Sequence, residues 1–274
     1  MDTYSGFLGS KISSEEEDNL FSVFENIRFD PDQHRYFYGD RELHSVTKFI
    51  KESFTPKFHK EYWLKYKTLK NNNVKIYPVK EELSYVIDGK KVHFTEVEID
   101  VSELSNQWES AKDKGLARGN RIHDYLENAW IGQKNKETIE YLDEFIKEKK
   151  KYLKPVYIEG IVADFDLGIC GMTDGLFWNK KKQCYQMRDN KTDKEIKIEN
   201  PYETMLYPFD FLDNTNFSKY TIQLNIYTWC IEKYIDIEIK DLFVDHFHDE
   251  TYTTYIIPKL PLHEIGKNYF RTKG

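Results

Sequence analysis

Gly171-Met172-Thr173-Asp174-Gly175 and, fifteen positions after Asp174, Met187-Arg188-Asp189-Asn190-Lys191-Thr192 decide how this chain reads. The turn-forming run Asn179-Lys180-Lys181-Lys182 separates them, so 169–178 and 183–190 read as the arms of a β-hairpin. Centred on Lys181-Lys182, the turn sets Asp174 opposite Asp189; centred on Lys180-Lys181, it sets Asp174 opposite Met187, with Asp189 two along. Side chains alternate with period two, so either register puts the two acids on one face. Lys191 shares that face if the strand runs on. Two carboxylates on one face repel each other unless a cation lies between them, which points to a magnesium or manganese site.

Working outward, residues 156–163 read as a preceding strand that carries Glu159, a further candidate ligand. Asp164 and Asp166 fall in the turn Asp164-Phe165-Asp166-Leu167-Gly168 and are set aside. Upstream, Trp108, Ala111, Leu116, Ile122, Tyr125, Leu126 and Ala129 recur at helical spacing from Ser102 onward. Gly115 and Gly119 predict a break or a close contact in that helix. His123 and Glu127 are four apart and share a face, so His123 is a candidate metal ligand. Arg118 and Arg121 are candidate phosphate contacts. A second helix is expected over 137–152, closed by Pro155.

Downstream, 194–217 reads as a long polar and aromatic loop. Ser218–Tyr234 reads as a helix on which Gln223 and Tyr227 share a face, able to hydrogen-bond the lysine, a phosphate or a water. Strands are expected near 241–247 and 252–257, then a short C-terminal helix. His246-x-His248 has no accompanying acids and is assigned no metal. At the other end, 1–20 reads as an acidic tail. Gly39-Asp40 and Asp88-Gly89 mark hairpin turns, Ser45-Val46-Thr47 caps a helix to about residue 53, and 56–70 reads as another helix.

The chain has 274 residues, 39 % hydrophobic and 32 % charged, which suits one main soluble core with an N-terminal elaboration. No apolar run approaches the ~20 residues of a membrane helix. No basic-then-apolar leader opens the chain, so an intracellular protein with no membrane partner is expected. Three cysteines without a Cys-x-x-Cys argue against a disulfide framework, a zinc site or an iron–sulfur cluster. The net charge of −7 does not advertise nucleic-acid binding, although an acidic metal site and a local basic track can coexist. Aromatic content of 16 % is rich enough to supply base-stacking platforms.

An acid on one strand followed by acid-x-Lys on the next suits metal-dependent phosphodiester hydrolysis. One Mg²⁺ held there polarises a phosphate and makes water more acidic, and a second stabilises the leaving oxygen. Lys191 is placed to orient the water or to neutralise charge in the transition state.

Taken in order, Gly119…His123…Glu127, Glu159, Gly171…Asp174, Asp189…Lys191-Thr192 and Gln223…Tyr227 resemble the PD-(D/E)XK nuclease superfamily in its RecB-like branch. The likeness spans about residues 118–257. The segment with His34-x-Tyr36 and Ser45-Val46-Thr47 resembles what precedes the core in phage exonucleases and mitochondrial genome-maintenance exonucleases. The resemblance implies an α/β, restriction-endonuclease-like core with a mixed central β-sheet flanked by helices. It also implies Mg²⁺ or Mn²⁺ as cofactor and DNA as substrate. By the same resemblance Asp174, Asp189, Lys191, Glu159, Gln223 and Tyr227 are catalytic. His123, Asp174, Asp189 and the Asn190 backbone carbonyl hold metal, and Thr192 joins Arg118 and Arg121 on the DNA. Asn190 stands where many relatives carry an aromatic or aliphatic residue.

The expected organisation is a tail over 1–20, an elaboration over 21–115 that arches over DNA, and a nuclease core over 116–274. The expected function is an exonuclease on single-stranded DNA ends in replication, recombination or repair. The alternatives are an endonuclease of the same fold, a catalytically silent nucleic-acid-binding module, and an α/β domain whose acids merely end strands.

Overall fold

A computed structural model describes residues 20–31, 33–79 and 82–262. The expected C-terminal helix and almost all of the acidic tail lie outside the described residues. The chain divides into two compact units: Lys57–Arg118 forms one, and the segments on either side of it form the other.

The larger unit is built on an eight-stranded mixed sheet. Its strands are β1 (Ile27–Asp30), β2 (Arg35–Tyr38), β3 (Arg41–Ser45), β7 (Leu153–Asp164), β8 (Ile169–Asn179), β9 (Cys184–Lys191), β10 (Ile239–His248) and β11 (Thr251–Ile257). β3 runs parallel to β8 and β9 parallel to β10, while the remaining pairs are antiparallel. The first three strands are therefore part of the main sheet. Residues 21–56 do not form one elaboration with 57–115, because β3 pairs with β8 through His44↔Ile169 and Ser45↔Cys170.

Helices cover both faces. Adjacent residues Leu176 and Phe177 go to different apolar clusters, as strand alternation requires. Leu176 and Met187, partners in the β8–β9 register, pack with Val46 and Ile50 of α1 (Val46–Ser53) and with Ile222, Ile226 and Cys230 of α5 (Asn216–Tyr234). Each such fully buried side chain contributes about 2–3 kcal/mol. Phe177 packs with Ile122, Leu126 and Trp130 of α3 (Ser102–Ile131) and with Leu142 and Phe145 of α4 (Glu140–Lys150). The caps are those expected from the residue types: Ser45 Oγ accepts from Lys48 N at 3.3 Å, and Thr215 Oγ1 accepts from Ser218 N at 3.1 Å.

β8 has one edge occupied along its length by β7. Its other edge is shared. β3 pairs along Ile169–Cys170 and β9 along Gly175–Asn179. Among the described residues no strand pairs with 171–174 on that edge. β8 and β9 thus part just where the sequence carries its acids.

The smaller unit contains α2 (Lys60–Asn71), the antiparallel strands β4 (Ile76–Val79), β5 (Ser84–Ile87) and β6 (Lys90–His93), and the first part of α3. Its core is aromatic. Tyr85 is fully buried, stacks on Tyr62 at 4.9 Å and donates its hydroxyl to the Tyr62 carbonyl. Asp88 and Gly89 both take positive φ, 50° and 76°, which is the turn an Asp-Gly pair supplies between β5 and β6.

Candidate functional site

The observed β8–β9 register, with Gly175↔Arg188 as its last pair, is the one centred on Lys181-Lys182. One step further sets Asp174 opposite Asp189. The β7–β8 register, through Ile158↔Gly175 and Gly160↔Thr173, sets Glu159 opposite Asp174. Three carboxylates therefore lie in one row across three neighbouring strands. β9 does not pair with Asp174 through its backbone; instead the Asn190 N–H donates to Asp174 Oδ2 at 2.5 Å. The alternation of β9 is enforced from the opposite face, where Arg188 makes a buried two-pronged pair with Asp245, both contacts at 2.7 Å.

Glu159 departs from regular strand geometry, with φ at +45°. A non-glycine residue in that region carries strain of about 1–3 kcal/mol and needs its surroundings to hold it. The following residue is Gly160, where a Cβ would fall 2.0 Å from the Tyr157 ring. That ring folds across the glycine to donate its hydroxyl to Ile161 O at 3.0 Å. The kink brings Glu159 to His123. His123 Nδ1 lies 3.9 Å from Glu159 Oε1 and 3.5 Å from Asp174 Oδ2. Ligand atoms of His123, Glu159 and Asp174 all lie within 4.8 Å of one another.

Asp189 and Lys191 adjoin this group. Lys191 Nζ is 2.6 Å from Asp189 Oδ2, and both side chains are largely buried. The electrostatics follow from burial and crowding. The Asp174 carboxylate, aided by Glu159, overcomes burial and pushes the His123 imidazole up to about 9. Burial raises the Glu159 and Asp174 carboxyls and pushes Asp189 up to about 6, against the opposing pull of Lys191. Burial pulls Lys191 down, but Asp189 and Asp174 outweigh it and hold the ammonium above its ordinary value.

α5 closes one side. Gln223 Nε2 donates to Tyr227 Oη at 3.0 Å, and both residues are buried. Tyr227 lies against Gly171, where a Cβ would come 2.6 Å from its ring and hydroxyl; this is why the Gly-x-x-Asp stretch begins with glycine. On α3, Gly119 is a close contact and not a break. The helix is continuous over 30 residues, and a Cβ at Gly119 would sit 3.2 Å from Thr192 Oγ1.

The two expected phosphate contacts, Arg118 and Arg121, fall in different units. Arg121 is engaged by Glu137 through Nε–Oε1 at 2.6 Å and Nη2–Oε2 at 2.5 Å, so phosphate contact requires breaking that exposed pair. Arg118 is the last residue of the smaller unit. For Asn190 the observed contact is its amide on Asp174, while the resemblance implied its carbonyl on metal. Asp164, set aside as a turn residue, ends β7 fully buried, and it accepts from Trp229 Nε1 at 2.8 Å and from Lys233 Nζ at 2.8 Å.

Two neighbours were missed by sequence reasoning. The Tyr220 ring lies under the Lys191 ammonium at 4.8 Å, and its hydroxyl donates to Asp193. Tyr220 precedes Gln223 by three on α5, so helical periodicity carried a signal for it, whereas Asp193 lies two residues past the end of β9 and had none.

No family model matches the chain and no curated protein does. Thirteen solved chains match. One, described as "Crystal structure of SSO0001", shares 16 % identity over 48 % of this chain and 54 % of that chain, with a TM-score of 0.24. The chain spans about half the length of that structure. So slight a likeness carries no argument about chemistry. Among the described residues no helix is long and apolar enough to cross a membrane.

Proposed function

We propose that the chain is a metal-dependent DNA nuclease with a restriction-endonuclease-like core, of the PD-(D/E)XK superfamily, acting as an exonuclease on single-stranded ends in replication, recombination or repair. One observation carries the reading: His123, Glu159 and Asp174 offer ligand atoms within 4.8 Å of one another beside the Lys191–Asp189 ion pair.

The donor chemistry fits a divalent ion. The two carboxylates suit Mg²⁺ or Mn²⁺, and the imidazole favours the softer Mn²⁺ of the two, with Asp189 one strand away. The carboxyls are raised by burial, so their ionised forms call for a positive partner, and the His123 proton fills that role in the structure described. When bound, the ion supplies charge neutralisation at the phosphate and a more acidic water.

The residues of the chain do the rest. Lys191 presents a fixed ammonium toward the charge that develops on the phosphate. Asp189 holds that ammonium in place. Tyr227 and Gln223 wall the site and keep bulk water from its inner side.

Charge segregation supports nucleic acid as the partner. Residues 57–91 hold nine lysines against four acids, a net +5 in a chain of −7. Phe58 and Tyr77, in the same stretch, are 65 % and 67 % exposed. Basic residues interleaved with exposed aromatics are what single strands bind. The same feature favours the second reading, a binding module without turnover, since it needs no hydrolysis.

End-labelled linear and circular single strands, incubated with Mg²⁺ or Mn²⁺, test the reading. Cleavage of linear but not circular DNA, abolished by a chelator and in Asp174→Ala and Lys191→Ala, is the expected result. Equal cleavage of circles makes the protein an endonuclease. Metal-independent binding without cleavage establishes the second reading.

A further inference from the structure

Lys191 is the last residue of β9, and its side chain has four rotatable bonds with which to stray. Two elements converge to stop it. From α5, the Tyr220 ring lies under the ammonium, with Nζ 4.8 Å from the ring centre, within cation–π reach. The ring is itself tethered, because the Tyr220 hydroxyl donates to the Asp193 carboxylate. From β10, His246 Nε2 lies 2.7 Å from Asp193 O and, facing a carbonyl, carries the proton. His246 is also the register partner of Lys191 in the parallel β9–β10 ladder. Asp193 is thus held at its backbone by a neighbouring strand, while its carboxylate fixes the aromatic ring beneath the lysine.

We propose that Tyr220 is a positioning residue for Lys191, with Asp193 and His246 as its anchor. Its aromatic face confines the ammonium to the Asp189 side, where the proposed hydrolysis needs it. The proposal rests on the nuclease reading. It assigns to the His246-x-His248 strand a role in holding Asp193 and none in binding metal.

The test has one readout in activity and one outside it. In protein carrying isotope-labelled lysine, the Lys191 side-chain protons are shifted upfield by the ring current of Tyr220. That shift disappears in Tyr220→Leu and persists, diminished, in Tyr220→Phe, which keeps the ring and loses the tether. In steady-state cleavage, Tyr220→Leu lowers kcat by about tenfold or more with KM for DNA unchanged. Tyr220→Phe and Asp193→Ala fall between Tyr220→Leu and wild type, and Asp193→Asn, which retains an acceptor, stays near wild type.

A Lys191 resonance without an upfield shift in wild type overturns the assignment. So does wild-type kcat in both Tyr220→Leu and Tyr220→Phe while Lys191→Ala is inactive. Failure of the wild-type protein to cut any strand overturns the nuclease reading and this assignment with it. The nuclease reading survives when only the Tyr220 variants behave as wild type.

Discussion

His123 Nδ1 lies 3.5 Å from Asp174 Oδ2, which brings together a helix and a strand that meet only in the folded chain. The imidazole is pushed up to about 9, chiefly by Asp174, and Asp189 up to about 6, chiefly by burial. Both groups hold protons more tightly folded than unfolded. Stability from such groups is full below their unfolded pKa and is lost as pH rises through the folded value. The metal-free protein is therefore expected to lose thermal stability as pH rises from about 4 to 6 through Asp189, and from about 6.5 to 9 through His123. Mn²⁺ bound at this cluster would displace the His123 proton, so its affinity is expected to rise with pH up to about 9. Titration calorimetry in two buffers of different ionisation enthalpy is expected to register a released proton near pH 7.5 and none above pH 10. Proton-neutral binding at pH 7.5 rules out His123 as the displaced group.

Asp174→Asn and Glu159→Gln each remove a charged ligand atom from the row. Each is expected to weaken Mn²⁺ binding by at least about 100-fold, the upper end of what even an outer partner of a ligand costs. Circular dichroism should show an intact fold. Unchanged Mn²⁺ affinity in both variants would mean that the cluster is not a metal site.

Three glycines separate close approach from mere flexibility. Gly171→Ala puts a methyl 2.6 Å from the Tyr227 ring, and overpacking of that kind costs about 1–3 kcal/mol. Gly119→Ala places a Cβ 3.2 Å from Thr192 Oγ1, so its helix gain is offset. Gly115 has nothing within 4 Å of a built Cβ, and Gly115→Ala is expected to stabilise α3 by about 0.5–1 kcal/mol. Urea midpoints of the three variants check the order.

Asp164 is a structural acid. Burial alone would raise its carboxyl, but Lys233, Trp229 and the Leu167 amide outweigh that and hold it below the usual range. Its contribution is present above the unfolded carboxylate value and is lost as pH falls through the folded one. Asp164→Asn is expected to cost about 3 kcal/mol in chemical denaturation. Activity per folded molecule should be unchanged. A variant as stable as wild type would show that this network holds nothing.

Lys67 and Lys70 are exposed on α2 within the basic stretch. Lys67→Glu with Lys70→Glu is expected to weaken single-strand binding, measured by fluorescence anisotropy in EDTA. The log–log salt slope should become shallower by about 0.7 for each phosphate that the variant no longer neutralises. Asp174→Asn should bind DNA as wild type in the same assay. Unaltered binding by the double variant would move the DNA surface away from this helix.

Some of the molecule was legible before folding because it depends on local rules. Alternation in 169–178 and 183–190 determined that Asp174 and Asp189 share a face, whichever register the turn selected. Ser45 and Asp88-Gly89 announced their cap and their hairpin through their own side-chain and backbone preferences. Gly119 announced a break or a close contact, and neither the choice between them nor the partner Thr192 was legible. Glu159 was named as a candidate, but its kink was not, because positive φ at a glutamate is imposed by Tyr157 packing over Gly160. Residues 21–56 were misallotted because β3 joins β8 across more than a hundred residues, a pairing with no local signature. Nothing in the sequence around Arg121 discloses Glu137 as its partner.

The sequence by itself named the candidate residues and, through strand and helix periods, determined which of them face the same way. Only the tertiary structure decided that β3 and β9 divide one edge of β8 beside Asp174, and that His123 from a helix meets Glu159 and Asp174 from two neighbouring strands. The reason is physical. Side-chain direction is set residue by residue along the backbone, whereas the distance between strands and helices is set by packing among segments far apart in the chain.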